Sequence, residues 1–174
     1  LFLRECRYKE HFDECVRLFI ELKEDFGENA VDEEIIKHAM SLAFEKGKVY
    51  MAEKAPGVPV GLVGYTFGDP DEQYKDPTVA FVLFTMMMPN YRKSMAFIQG
   101  FAIIAQFLQE SGIREMRLKA LKSNLYTNRL YSKFAERKAE VLNMKGLPCI
   151  LYAADVSELQ ERLPSLGRKR LIRC

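Results

Sequence analysis

Hydrophobic and polar positions along this 174-residue chain change period several times, and each change predicts an element. Leu1 to Tyr8 alternates loosely and predicts a short strand. From Lys9 the period is helical: Phe12, Cys15, Val16, Phe19, Ile20, Leu22 and Phe26 form one apolar stripe with charged residues opposite, and Gly27 is placed to close the helix. Asp32 is placed to cap a second helix at the amides of Glu33 to Ile35; Ile35, Ile36, Ala39, Met40 and Ala43 form its buried side, and Gly47 its end. Lys48 to Lys54 predicts a strand with Val49, Met51 and Ala52 inward, Ala55 to Pro59 a turn, and Val60 to Phe67 the return strand. The polar stretch Gly68 to Pro77 either shapes a substrate mouth or is an ordinary exposed loop. Val79 to Met88 is an apolar strand that breaks at Pro89-Asn90 and passes through a polar hinge, Tyr91 to Ser94, into a helix from Met95 to Glu110. That helix carries Ile98, Phe101, Ala102, Ala105 and Leu108 on one stripe and Phe97, Ile103 and Ile104 off it, a distribution expected of a centrally packed helix. Gly112 stops it.

The second half continues with a strand (Arg114 to Leu121), the link Lys122-Ser-Asn124, and a helix carrying Leu130, Tyr131, Lys133 and Phe134. Two strands follow, Lys138 to Asn143 and Leu147 to Ala153, then a short helix from Val156 and a basic tail from Arg168 to Arg173. The order β-α-α-β-β-β-α-β-α-β-β predicts an α/β fold: a single mixed, mostly antiparallel sheet of six to seven strands flanked by about four helices. Residues 1–155 are expected to form one domain, and 156–174 a C-terminal helix and basic tail. A strand that feeds a helix N-terminus through a basic turn is a ready anion site, and a parallel return strand beside it offers a ligand crevice.

Charge sharpens this picture. The net charge of +2 divides into −7 over residues 1–90 and +9 over residues 91–174, so the second half suits an anionic ligand and the first a cationic one. Cys6, Cys15, Cys149 and Cys174 show no metal-ligand spacing and fit reduced thiols of a cytoplasmic protein, with Cys15 and Cys149 as small core residues. His38 has no second ligand-type residue at suitable spacing and reads as a helix surface position. No metal is expected. No apolar run reaches the roughly 20 residues of a membrane span, and Leu1-Phe-Leu-Arg4 is too short for a signal peptide, so no membrane partner is expected. The basic tail reads as a solvated terminus. A nucleic-acid partner would call for exposed aromatics interleaved with Lys and Arg, whereas the aromatics here fall on core periods.

Two segments carry a family resemblance. Asn124-Leu-Tyr-Thr-Asn-Arg-Leu130-Tyr131-Ser-Lys133 resembles the late motif of the GCN5-related N-acetyltransferase (GNAT) superfamily: Asn, a Leu-Tyr pair six and seven residues on, and Lys at nine. Thr127, Ala135 and Glu136 stand where that family usually has Ala, Gly and Phe. Met86-Met-Met-Pro89-Asn-Tyr-Arg92-Lys-Ser-Met95-Ala-Phe97 is similar to the family's strand, Pro and Arg/Gln-led turn, but Met95 and Phe97 occupy positions where glycines are usual. The resemblance extends in element order from Leu1 to about Ala154.

The resemblance implies an acyl-CoA-dependent N-acyltransferase that passes an acetyl group directly to a small-molecule or protein amine, with acetyl-CoA as cosubstrate. It implies that the coenzyme's pantetheine arm pairs with Met86, Met87 and Met88, and that its pyrophosphate rests on the amides of Arg92, Lys93, Ser94, Met95, Ala96 and Phe97. Asn124 would orient the pantetheine or a water, a backbone amide near Met87 would stabilise the oxyanion, and Tyr131 would protonate the leaving thiolate, with Tyr126 as a weaker substitute. Glu24, Glu53, Asp69, Asp71 and Glu72 are candidate bases. Met95 and Phe97 leave two outcomes open: their side chains turn into the core and the amides stay available, or the pocket is closed and the protein is a binding or regulatory module without turnover. The apolar run Leu147 to Ala153 serves either as core or as the contact of a homodimer.

Overall fold

The computed structural model describes residues 1–23, 32–92 and 95–171, with side chains to residue 163. Seven strands form one mixed sheet in the order β1-β2-β3-β4-β5-β7-β6. The strands are β1 (Phe2–Cys6), β2 (Gly47–Ala55), β3 (Val58–Phe67), β4 (Val79–Met87), β5 (Glu115–Leu121), β6 (Glu136–Leu142) and β7 (Pro148–Asp155). Pairs β1/β2, β2/β3, β5/β7 and β6/β7 are antiparallel, and β4/β5 is parallel. The helices are α1 (Tyr8–Lys23), α2 (Glu33–Lys46), α3 (Pro89–Arg92), α4 (Met95–Glu110), α5 (Leu125–Tyr131) and α6 (Val156–Leu171). The chain divides into two compact units, one of Leu1–Thr66 with Leu83–Ile103 and one of Phe67–Val82 with Ile104–Cys174.

In the first unit the stripe of α1 behaves as its period requires. Cys15, Val16, Phe19 and Leu22 are buried, and they join Ile36, Met40 and Ala43 of α2 and Val49, Met51, Leu62, Phe84 and Met86 of the strands in one core. A smaller cluster contains Ala52, Val60 and Met87, with Leu1, Leu3, Tyr91, Ala96 and Phe97 packed against it. Successive strand residues alternate in direction; Met51 and Leu62 belong to the larger cluster, Ala52 and Val60 to the smaller. The β2–β3 hairpin closes at Pro56-Gly57, where Gly57 has a φ of +76° that a side chain would strain. Further along β3 two glycines act as recesses. A Cβ at Gly64 would lie 2.2 Å from the Phe84 ring, and one at Gly61 would lie 2.4 Å from Met87 Sδ.

In the second unit β5 alternates cleanly, with Met116, Leu118 and Ala120 buried and the residues between them half-buried. Phe134, Leu159 and Leu163 are also fully buried. The loop Gly68 to Pro77 is fastened to β5 by charge. Asp69, only 4% exposed, accepts a 2.9 Å bond from Arg117, which also pairs with Glu72 at 2.7 Å and Glu115 at 2.6 Å, while Lys119 pairs with Asp71.

Several expectations change. Asp32 stands at the N-cap of α2, but its side chain makes no capping bond; its backbone carbonyl does accept from Ile36 N–H at 3.0 Å. Tyr91 and Arg92, expected in a polar hinge, instead belong to one helical turn, α3, beginning at Pro89, where proline's fixed φ suits a first helical position. Within α4 Ile104 joins the buried side and Ala102 is half-buried. Helix α5 stops at Tyr131, so Lys133 and Phe134 lie in the turn that follows. Among the described residues six helices accompany the sheet, counting one-turn α3. Helical backbone continues through Leu171, into the stretch expected to be tail. Gly27 lies outside the described residues.

Candidate active site

The β4–α4 connection follows from local chemistry in the first unit. The apolar β4 ends at Met87, and the Met88 amide donates to Val60 O at 2.8 Å while the Met88 carbonyl accepts from Tyr91 N–H at 2.8 Å, closing the turn. Arg92, at the end of α3, folds back so that its Nε donates to Met87 O at 2.8 Å. Helix α4 then runs for 16 residues without an acidic side chain in its first turn. Its N-terminal end therefore keeps the positive character of a helix start. Met86 and Met87 are buried, and Met88, Arg92, Met95, Ala96 and Phe97 are half-buried. Phe97 packs against the Met87 cluster and stacks on Phe101 at 4.6 Å and 23°. The structure thus brings Met86 to Arg92 and Met95 to Phe97 into one strand–turn–helix. Lys93 and Ser94 lie outside the described residues.

The second unit holds Asn124 and Tyr131, the two ends of α5. Asn124 is the N-cap, its Oδ1 accepting from Thr127 N–H at 3.0 Å. The oxygen expected to orient a ligand therefore also holds the helix start. Tyr131 is 4% exposed, and burial pushes its phenol above the ordinary value of 10, so it stays protonated at neutral pH. Its ring meets Phe134 and Tyr152 edge-on, at 5.8 Å and 5.7 Å. Tyr126 is exposed.

The candidate bases among the described residues are engaged elsewhere. Glu53 is buried, which alone would raise its pKa, but a 2.7 Å bond from Arg4 and a 3.2 Å bond from the Gly57 amide hold it below the ordinary carboxylate value. Asp69, Asp71 and Glu72 are in the ion pairs with Arg117 and Lys119, and Glu24 lies outside the described residues.

An open cavity of about 720 Å³ in the second unit is lined by Asp76, Thr78, Arg114, Glu115, Arg117 and Asp155 among others. The loop after Gly68 thus shapes a cavity wall. The charges on that wall are largely answered within the chain: Arg117 by Glu115, Arg162 by Glu158, Lys138 by Glu136, and Asp155 by the amides of Ser157 and Glu158 at the start of α6. Among the described residues no group of three or more His, Cys, Asp or Glu side chains could hold a metal ion, and no helix is long and apolar enough to cross a membrane.

Sequence reasoning missed Asn128. In the structure its Nδ2 donates to Leu121 O and Asn124 O, each at 2.8 Å, and its Oδ1 accepts from the Tyr152 hydroxyl at 2.9 Å. A polar residue in a seven-residue helix carries no signal of a partner 24 positions later.

No family model and no curated protein matches the sequence. Solved structures match in fold. An aminoglycoside acetyltransferase in complex with coenzyme A and kanamycin matches with a TM-score of 0.67 and 17% identity over 91% of this chain and 96% of that one. A ribosomal-protein-alanine N-acetyltransferase from Brucella melitensis gives 0.65 and 16% over 89% and 99%. An acetyltransferase of the GNAT family from Staphylococcus aureus gives 0.65 and 11% over 89% and 99%. The chain therefore resembles the GNAT acetyltransferases in fold, over nearly the whole of its length and theirs.

Proposed function

We propose that the protein transfers an acyl group, acetyl as the first choice, from acyl-CoA to an amine. The observation that carries this reading is the shared fold over 91% of the chain with an acetyltransferase that holds coenzyme A. The β4–α4 turn suits such a cosubstrate. The start of α4 has no acidic side chain to repel a pyrophosphate, and Phe97 is packed on Phe101 and the Met87 cluster. The amides of Met95 to Phe97 and the charges of Arg92 and Lys93 would hold the pyrophosphate, and the backbone of Met86 to Met88 the pantetheine arm. When bound, the cosubstrate supplies a thioester as acyl donor. A tyrosine phenol is protonated at neutral pH, the state a general acid needs before it protonates a departing thiolate, and burial, by raising Tyr131 further, makes it a weaker acid that must be well placed to act.

The acceptor is an amine, and the names of two similar structures suggest where to start: a ribosomal-protein alanine and an aminoglycoside. Acetyl-CoA should raise the melting temperature, and thiol release should appear with one member of an amine panel. Saturating acetyl-CoA at a hundred times its Kd corresponds to about 2.7 kcal/mol of added stability. No shift with either acetyl-CoA or free CoA at millimolar concentration ends the enzyme reading. Tyr131→Phe should lower kcat about a hundredfold while KM for acetyl-CoA barely moves. Unchanged turnover removes Tyr131 from the role of acid.

A second reading, a binding or regulatory module, is favoured by two observations at the same turn. Arg92 occupies the Met87 carbonyl, and Met95 and Phe97 stand where glycine would leave the backbone bare. Coenzyme binding with no thiol release across the amine panel would select this reading.

A further inference from the structure

The bonds of Asn128 form a closed set. Carbonyls take both hydrogens of the side-chain amide, Leu121 O and Asn124 O at 2.8 Å and Lys122 O at 3.5 Å, and its oxygen takes the Tyr152 hydroxyl hydrogen, so the amide has one orientation that satisfies every partner. Leu121 ends β5 and Asn124 caps α5, so the amide fastens the first turn of α5 to the end of the strand that precedes it. On the far side of the set Tyr152, on β7 and 3% exposed, has its hydroxyl pinned by Asn128 and its ring set at 81° to Tyr131. Tyr131 is held from another side by Phe134 at 63°. Edge-to-face contacts depend on angle, so a ring pinned at its hydroxyl transmits that constraint to its neighbour.

We propose that Asn128 is a positioning residue, acting through Tyr152 to fix the direction of the Tyr131 phenol. The proposal rests on the assignment of Tyr131 as acid and extends it to two residues that touch no reacting atom. The chain of constraint runs from the carbonyls of Leu121 and Asn124 through the Asn128 amide to the Tyr152 ring and then to Tyr131. An acid that must meet a departing thiolate gains from a fixed ring, because small misplacements of a reacting group are costly in rate.

The test uses Tyr152→Phe, which keeps the ring packing and removes only the hydroxyl. With acetyl-CoA and the active amine, kcat should fall roughly tenfold with KM for acetyl-CoA nearly unchanged. The same substitution made on top of Tyr131→Phe should lower kcat no further, since nothing remains to be positioned. An equal loss in both backgrounds, or no loss in the parent, overturns the positioning role and leaves the acid assignment standing. If Tyr131→Phe itself leaves turnover intact, both fall. Ring flipping of Tyr131, followed by NMR with carbon-labelled tyrosine, gives a readout free of turnover. Flipping should be slow in the parent and at least about tenfold faster in Tyr152→Phe, as expected when an aromatic contact loosens. Equal flip rates overturn the proposal.

Discussion

Two turns, one in each unit, hold the candidate residues, and they differ in what fastens them. From Met87 to Arg92 the turn is closed by backbone bonds and backed by apolar side chains, with one guanidinium laid on a carbonyl. From Leu121 to Tyr131 the backbone bonds, such as Asn124 N–H to Leu121 O at 2.9 Å, are reinforced by side-chain amides: Asn124 caps, Asn128 bonds carbonyls of the turn, and a tyrosine hydroxyl completes the set. Apolar backing is non-directional and tolerates shifts of a few tenths of an ångström, whereas a closed set of hydrogen bonds admits a single arrangement. The difference suits the roles proposed for them. A surface that receives a long flexible molecule can yield, and a phenol that must deliver one proton cannot.

The contrast can be broken at several points. Met87→Ala should cost the first turn most, about 3 kcal/mol of unfolding free energy in urea titrations, because it empties the centre of the small cluster. A loss below about 1 kcal/mol would mean the cluster collapses freely and does not back the turn. Asn124→Ala should cost about 1 kcal/mol through the lost cap, with Asn124→Asp restoring most of it. Equal losses in the two variants would show that Oδ1 is not the source.

Acid should separate the turns with a smaller effect. Glu53 titrates below its ordinary value of 4.5 because Arg4 and the Gly57 amide hold its charged form, although burial opposes them. Its contribution is therefore present above pH 4.5 and is lost as pH falls through the depressed folded value. Arg4 lies on β1 beside Leu3, which packs against the Met87 cluster. Amide-exchange protection in β1 and α3 should fall between neutral pH and pH values below the Glu53 titration, while protection at the Asn128 turn holds, since that network contains no group that titrates in this range. Equal loss in both turns would refute the separation.

Much of the first turn was legible in the sequence. The long apolar β4, Pro89 and the return to helical period predicted strand, break and helix, and Met95 to Glu110 matched at both ends because Gly112 and a strong apolar pattern mark them. Helical onset at Pro89 was missed, since Tyr91 to Ser94 is polar and a single turn has no period to detect. The second turn was legible only by motif. The apolar residues Leu130, Tyr131 and Phe134 continue a helical spacing past the real end at Tyr131, and the chain bends where Ala135 N–H bonds Tyr131 O. The Asn128 set and the hold of Arg117 on Asp69 each join residues far apart in sequence, 24 positions in one case and 48 in the other, with no local pattern to announce them.

The recesses at Gly61 and Gly64 have a mechanical consequence. Phe84 and Met87 are three residues apart on β4, as the two glycines are on β3, so the pair of side chains and the pair of recesses share one spacing. A one-residue slip would turn those side chains to the opposite face and bring Thr85 or Leu83 over a recess cut for a phenyl ring. The strands are keyed, and the key is cut by absence: two missing β-carbons specify which of many possible alignments the chain adopts.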